Sequence, residues 1–266
     1  GGRSTAPHER VHLLARRPMR RLLGLVRLAR VLALIVQGYG RIRRDFAHMG
    51  PDLRAQAVGQ WSRQMLKALG IELHTQGEAP THGPMLVVCN HVTWLDILVL
   101  HASGHARFVA KSEVHHWPLI GSMAAAAGTL FIERASRRDA MRVVHQMVAC
   151  LRGGDVLAVF PEGTTSDGLG LLPFHANLIQ AAISAPAPVL PAALRYVDAH
   201  SGQTSQAVSF VGDETLVNSV WRTVCARGLQ VHVAWGQAQT DMGRERRVWA
   251  RDLQQQVQGL WQSLQH

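Results

Sequence analysis

The sequence predicts an α/β domain with a mostly parallel sheet flanked by helices, preceded by a basic helical segment. Two observations carry this. Short, continuously apolar runs such as 85–89 and 156–160 read as strands buried on both faces. Between them lie segments of helical period, each closed by glycine or proline, so strand and helix alternate along the chain.

The segment 18–47 reads as one long basic helix with Pro18 in its first turn. Residues 22–36 are apolar except for Gly24, Arg27 and Arg30. A spanning helix needs ~20 apolar residues, and two central arginines each cost about 3 kcal/mol. Projected at about 100° per residue, Arg20, Arg27, Arg30 and Arg41 fall in an arc of roughly 80°, with Leu25, Ala29, Leu32 and Val36 opposite. That pattern fits a helix lying in the headgroup layer with its arginines reaching lipid phosphates. An amphipathic helix packed on its own domain is the alternative. The early chain is basic, but its apolar stretch is broken by arginine and lacks a small-residue cleavage site, so no signal peptide is read there.

A second helix is expected over 51–69, closed by Gly70. Strands follow at 71–75 and 85–89, a helix at 95–102, a strand at 108–110, a helix at 117–127 and a strand at 130–132. Next come a helix at 137–151, a strand at 156–160, a helix at 174–184 and strands at 189–194 and 207–211. A helix at 214–227, a strand at 230–235 and a terminal helix at 244–265 complete the pattern. Two parts are expected: a membrane-associating helical segment, 1–69, and the α/β domain, 70–266.

The composition narrows the function. Hydrophobic residues make up 47 % of the 266, which fills a real core. Lys and Arg number 28 against 18 Asp and Glu, a net charge of +10 that attracts anionic lipid, phosphorylated substrates or nucleic acid alike. Nucleic acid is the weakest of these, because no recognisable module is present and aromatics are only 6 %. Three scattered cysteines, Cys89, Cys150 and Cys225, form neither a disulfide framework nor a zinc site and fit a reducing compartment. No metal site is expected; the adjacent His115 and His116 do not share a helix face. Neither a GxSxG elbow nor a P-loop is present.

Four blocks carry chemistry. Asn90-His91-Val92-Thr93-Trp94-Leu95-Asp96 follows a buried strand and opens a helix, at the strand end where open α/β sheets bind ligands. Five residues apart on one regular helix, His91 and Asp96 would diverge by about 140°. His91 is therefore expected in the turn, with Asp96 reaching back to fix its tautomer and leave the other nitrogen free as a base. The alternative is a capping Asn followed by unrelated residues. The second block, Gly128 to Arg134, places an arginine just past a short strand. The third, Phe160-Pro161-Glu162-Gly163-Thr164-Thr165-Ser166, ends a very apolar strand with a carboxylate, hydroxyls and backbone N–H groups able to hold a polyol phosphate. The fourth is a strand containing Pro191, tolerated where no ladder bond is needed.

In this order the blocks resemble those of the 1-acyl-glycerol-3-phosphate (lysophosphatidic acid) acyltransferases: NHxxxxD, GxxFIxR, FPEGTxS and an apolar-proline block, over about 69–196, with Lys111, Pro118 and Gly121 at familiar places between them. The resemblance implies that His91 is the general base and Asp96 its orienting partner. It implies that Arg134 binds the acceptor phosphate, with Lys111 adding charge nearby. Asn90, Phe131, Glu162, Gly163, Thr164, Thr165 and Ser166 would complete the substrate-binding set. It also implies an acyl-CoA or acyl-carrier-protein thioester as co-substrate, no other cofactor, and a membrane-associated N-terminal part on the inner face of the cytoplasmic membrane. The expected reaction acylates the sn-2 hydroxyl to give phosphatidic acid. His175 and Asn177 depart from the family pattern, where a basic residue and glycine are usual. That leaves lyso-ornithine lipid as a rival acceptor and a peripheral membrane-binding protein as the non-enzyme alternative. Cys89 adjoins the first block but is expected to be a small buried side chain.

Overall fold

The computed structural model describes residues 7–133 and 137–265. The chain opens with helices α1 (Pro7–Asp45) and α2 (Pro51–Leu69), then alternates: β1 (Ile71–Gln76), β2 (Met85–Cys89), α3 (Asp96–Ser103), β3 (Arg107–Lys111), α4 (Ile120–Ala126), β4 (Leu130–Ile132), α5 (Arg137–Arg152), β5 (Val156–Val159), α6 (Ile179–Ser184), β6 (Val189–Asp198), α7 (Leu216–Cys225), β7 (Leu229–Trp235) and α8 (Arg246–Ser263). The strands form a seven-stranded sheet in the order β1-β7-β6-β2-β5-β3-β4. Every pairing is parallel except β6 with β7, which agrees with the expected mostly parallel sheet.

The continuous apolar strands are explained by helices on both faces. Along β2, Val87 and Cys89 face a layer holding Leu66, Leu69, Leu95 and Val99, while Leu86 and Val88 face Met147, Leu151 and Trp249. Both layers are close-packed, so a large-to-small change at either carries a transfer cost and a cavity cost of a few kcal/mol together. Pro191 sits inside β6, between β2 and β7. Its carbonyl accepts from the Gly236 amide at 2.8 Å, so its missing N–H faces the chain leaving β7 and no ladder bond is lost to β2.

Helix α1 begins at Pro7 and runs through Pro18 rather than starting there, so the proline removes one helical donor at that turn. Met19–His48 is long and apolar enough to cross a membrane by length and composition. Its inner face places Gly24, Val31 and Gly38 on the domain, and Leu22, Leu25, Val26, Leu32 and Val36 are exposed. Arg27 corrects the expectation of a uniform lipid-facing arginine stripe. Its guanidinium donates to the carbonyls of Val224 and Ala226 at the end of α7, at 3.1 and 2.5 Å. It also lies where a Cβ on Gly70 would sit, and Gly70 adopts φ +78 to close α2. Arg20, Arg30 and Arg41 are exposed.

Three expected elements differ for local reasons. The helix foreseen over 117–127 splits because Trp117 precedes Pro118 and is held extended; Ser112–His116 forms a 3₁₀ turn, and α4 starts only after Leu119, at φ 62. The helix foreseen over 174–184 is helical only from Ile179; ahead of it the amides of Phe174 and His175 tie the chain to Gln254 Oε1 and to the Pro161 carbonyl. The strand foreseen over 207–211 is a 3₁₀ turn, Gln206–Val208, because Arg222 engages the carbonyls of Ala207 and Ser209 that a ladder would need.

Candidate active site

The site forms where β2 ends. Neighbouring strands on both sides run parallel to β2, so the turns after β2 and β5 meet at one edge of the sheet. Asn90 is 1 % exposed, and both ends of its amide bond the backbone of β6: Nδ2 donates to the Leu194 carbonyl at 3.0 Å, and Oδ1 accepts from the Leu194 amide at 2.9 Å. Asn90 thus pins the turn to the neighbouring strand and has no amide atom turned to a ligand, contrary to its expected place in the substrate-binding set.

His91 follows in the turn, and Asp96 opens α3, as the spacing required. Nδ1 of His91 lies 2.8 Å from Oδ2 of Asp96. The same oxygen accepts the Val92 and Thr93 amides at 2.6 and 3.0 Å, so the carboxylate is what folds the turn back over the helix N-terminus. Asp96 is fully buried. Its other oxygen, Oδ1, accepts the Tyr196 hydroxyl at 2.8 Å. The His91 ring stacks on Phe160 with centroids 4.1 Å apart and planes 11° apart. With Nδ1 engaged and one face covered, Nε2 is the ring nitrogen left for a substrate.

The turn after β5 supplies the second half. Glu162 is 3 % exposed. Oε1 accepts the His91 amide and Oε2 the Leu172 amide, each at 2.6 Å. Burial pushes its carboxyl up to about 7, partly offset by those two amides and by His91. Gly163 follows at φ 74, a conformation that glycine adopts without strain and that turns the chain away from β5. The Ser166 amide donates to the His91 carbonyl at 2.8 Å, and Ser166 Oγ accepts from Gly168, closing the two turns on each other. Thr165 donates its hydroxyl to the Phe210 carbonyl, so it braces the loop. Thr164 is exposed.

Of the expected set, His91, Asp96 and Glu162 are brought together, with Gly163, Thr164 and Ser166 beside them. Lys111 is exposed at the end of β3, in register with Ile132 of β4. Phe131 packs edge-on against His115, centroids 4.8 Å apart. Arg134 lies outside the described residues. Cys89 is fully buried, and burial together with the Asp96 charge raises its thiol well above the ordinary range, which removes it as a nucleophile. Tyr196 and Phe160 are the site residues the sequence reading did not single out for a role at His91. Tyr196 is a hundred residues from Asp96, and a tyrosine in an apolar strand carries no local signal.

Chemically, this is an imidazole oriented by a buried carboxylate at the end of β2, an arrangement able to accept a proton. Among the described residues no group of three or more His, Cys, Asp or Glu could hold a metal ion.

Comparison with known proteins agrees. A family model described as Acyltransferase matches residues 70–195. The 1-acyl-sn-glycerol-3-phosphate acyltransferase of Neisseria meningitidis serogroup B is 42 % identical over 184 residues, 69 % of this chain and 71 % of that one. The lyso-ornithine lipid O-acyltransferase of Pseudomonas aeruginosa is 37 % identical over 246 residues, 90 % and 93 % of the two chains. The fold matches the crystal structure of the 1-acyl-sn-glycerophosphate acyltransferase PlsC from Thermotoga maritima at a TM-score of 0.73 and 18 % identity, over 94 % of this chain and 97 % of that one. With relatives 42 % and 37 % identical over 69 % and 90 % of its length, the chain belongs to the acyltransferase family.

Proposed function

We propose that this acyltransferase moves a fatty acyl group from a thioester of coenzyme A or acyl-carrier protein to the sn-2 hydroxyl of 1-acyl-glycerol-3-phosphate, giving phosphatidic acid. The observation that carries the reading is the 2.8 Å contact between His91 Nδ1 and Asp96 Oδ2, which leaves Nε2 as the unengaged ring nitrogen of a partly exposed side chain. The acceptor hydroxyl gives its proton to Nε2 as its oxygen attacks the thioester carbonyl. Such general-base help is typically worth ~10²–10⁴ in rate. Asp96 stabilises the imidazolium that forms. Collapse of the tetrahedral intermediate breaks the carbon–sulfur bond, and the departing thiolate takes the proton from His91. No covalent acyl-enzyme is involved. The amides of Val92, Thr93, His91 and Leu172 already serve Asp96 and Glu162, so the oxyanion must draw its donors from other groups.

Lys111, and Arg134 by its place in the second block, would hold the acceptor phosphate. Helix α1 would lie along the inner face of the cytoplasmic membrane, its exposed leucines and valines in the lipid and Arg30 and Arg41 on anionic headgroups. A second acceptor, lyso-ornithine lipid, is favoured by two observations: the relative so named aligns over 93 % of its own length, and His175 replaces the usual basic residue. Thiol release from an acyl-CoA, measured with each lysolipid in turn, tests both. Release that requires lysophosphatidic acid supports the first reading. Release with lyso-ornithine lipid alone replaces it with the second.

A further inference from the structure

Asp96 accepts four hydrogen bonds, and they are divided unevenly. Oδ2 takes His91 Nδ1 and the amides of Val92 and Thr93, whereas the donor found on Oδ1 is the Tyr196 hydroxyl. Both residues are sealed from water, Asp96 at 0 % and Tyr196 at 1 % exposure. Tyr196 lies on β6, and β6 is held against the His91 turn by the two Asn90–Leu194 bonds, so the strand sets where the phenol points. The residue lies one position past the matched segment 70–195 and within none of the four sequence blocks.

We propose that Tyr196 is a positioning residue of the acyl transfer: its O–H fixes the rotation of the Asp96 carboxylate and limits how strongly that carboxylate holds a proton on His91. A hydrogen bond donated to a carboxylate spreads its charge. Without the phenol, Oδ1 is a buried anionic oxygen with no donor, and the carboxylate pulls harder on the imidazole proton. More of the free enzyme then carries imidazolium, which cannot act as base.

The other groups facing this cluster are few. Tyr196 itself is driven well above its ordinary range by burial and by the Asp96 charge, so it remains a donor throughout the working range. Cys89, on β2, stays a neutral thiol for the reasons given above. His101, farther along α3, is pushed down to about 4 by burial and stays neutral. Glu162, on the turn after β5, is raised to about 7 by burial, and the amides of His91 and Leu172 that hold it do not involve Tyr196.

The proposal rests on His91 acting as the base, and the test separates the two. The pH dependence of kcat/KM is measured for wild type, Tyr196→Phe and His91→Ala. The phenylalanine keeps the ring volume and removes only the hydroxyl. The acid limb of Tyr196→Phe is expected to move up by about 0.5–1 pH unit, and kcat at neutral pH to fall roughly 5–50-fold, with both KM values within about twofold. A second probe works in the opposite direction. The chain has two tyrosines, Tyr39 and Tyr196, so Tyr39→Phe protein grown on 3-fluorotyrosine carries the more acidic phenol at position 196 alone, and its acid limb is expected to move down. An acid limb that superimposes on wild type in both cases, whatever the change in Tm, overturns the role of Tyr196. His91→Ala retaining more than roughly a tenth of wild-type activity instead overturns the base itself.

Discussion

The backbone amide of His91 donates to Oε1 of Glu162 at 2.6 Å, so the carboxylate of the third sequence block holds up the residue that carries the first. Its second oxygen takes the Leu172 amide, tying the loop beyond Gly163 to the same point. Glu162 thus fixes the height of the imidazole above the sheet edge. The glutamine variant keeps one acceptor oxygen and loses the other. Glu162→Gln is expected to cut kcat by about tenfold or more while the fold persists, since a buried amide left without an acceptor costs ~1–3 kcal/mol. Steady-state kinetics beside a thermal melt checks this; unchanged kcat would confine Glu162 to the loop.

Removing the proposed base is the larger change. His91→Ala is expected to abolish thiol release and to leave vesicle binding intact, since the imidazole lies at the sheet edge and α1 carries the apolar face. Asp96→Asn should lose ~10²-fold or more, because a neutral amide cannot stabilise the imidazolium and its NH2 would face the Tyr196 hydroxyl that now donates to Oδ1. Parallel vesicle sedimentation and coupled thiol assays measure both.

Two buried groups give the stability profile opposite slopes. The Glu162 carboxyl is raised to about 7 by burial, so its contribution is fully present below the unfolded value of 4.5 and lost as pH rises through 7. The His101 imidazole is lowered to about 4 by burial, so its contribution is present above 6.5 and lost as pH falls through 4. Between pH 4.5 and 6.5 the two oppose. Glu162→Gln should expose a stability that rises with pH in this window, and His101→Leu one that falls. Chemical denaturation at pH 4.5, 5.5 and 6.5 reads the slopes; identical slopes in both variants would mean that neither group governs the window.

The sheet was legible because parallel strands buried on both faces leave unbroken apolar runs, as in 85–89 and 156–160. The dyad was legible because the four blocks stand in the order of a known family; the five-residue spacing added that His91, to meet Asp96, had to sit in the turn before the helix. Side chains that reach across the fold left no such trace. Arg222 captures two carbonyls of a segment that otherwise reads as a strand, Gln254 of α8 takes the Phe174 amide, and Tyr196 meets Asp96 from a different strand. The split before α4 was readable, since Trp117 precedes proline, but the apolar period masked it.

Arg27 and Arg30 lie on neighbouring turns of α1 and should separate experimentally. Arg27 closes the end of α7 through Val224 and Ala226, and cations there are favoured by the helix dipole. Arg27→Glu would set a carboxylate against two carbonyl oxygens, and Tm is expected to fall by several degrees. Arg30 is exposed, and its reversal should leave Tm within about one degree while weakening binding to anionic vesicles, by about 1–2 kcal/mol for a charge change of two at the surface. Both quantities are measured on both variants. Equal loss of vesicle binding with no change in Tm would return Arg27 to the lipid-facing stripe.

The acceptor's charge can be read from the second block. If a phosphate sits between Lys111 and Arg134, each alanine variant removes a charge-assisted contact present before and during the reaction. The KM for lysophosphatidic acid should then rise about tenfold or more, with kcat changed less than about threefold. For a zwitterionic lyso-ornithine lipid there is no phosphate to lose, and the same variants should shift KM by less than about threefold. Lys111 stands in register with Ile132, two residues ahead of Arg134, so the pair should also respond together: the double variant should cost less than the product of the singles if both grip one group. Strictly multiplicative losses would place the two cations on different parts of the substrate. A fall in kcat at constant KM would move Arg134 from acceptor binding to the transition state.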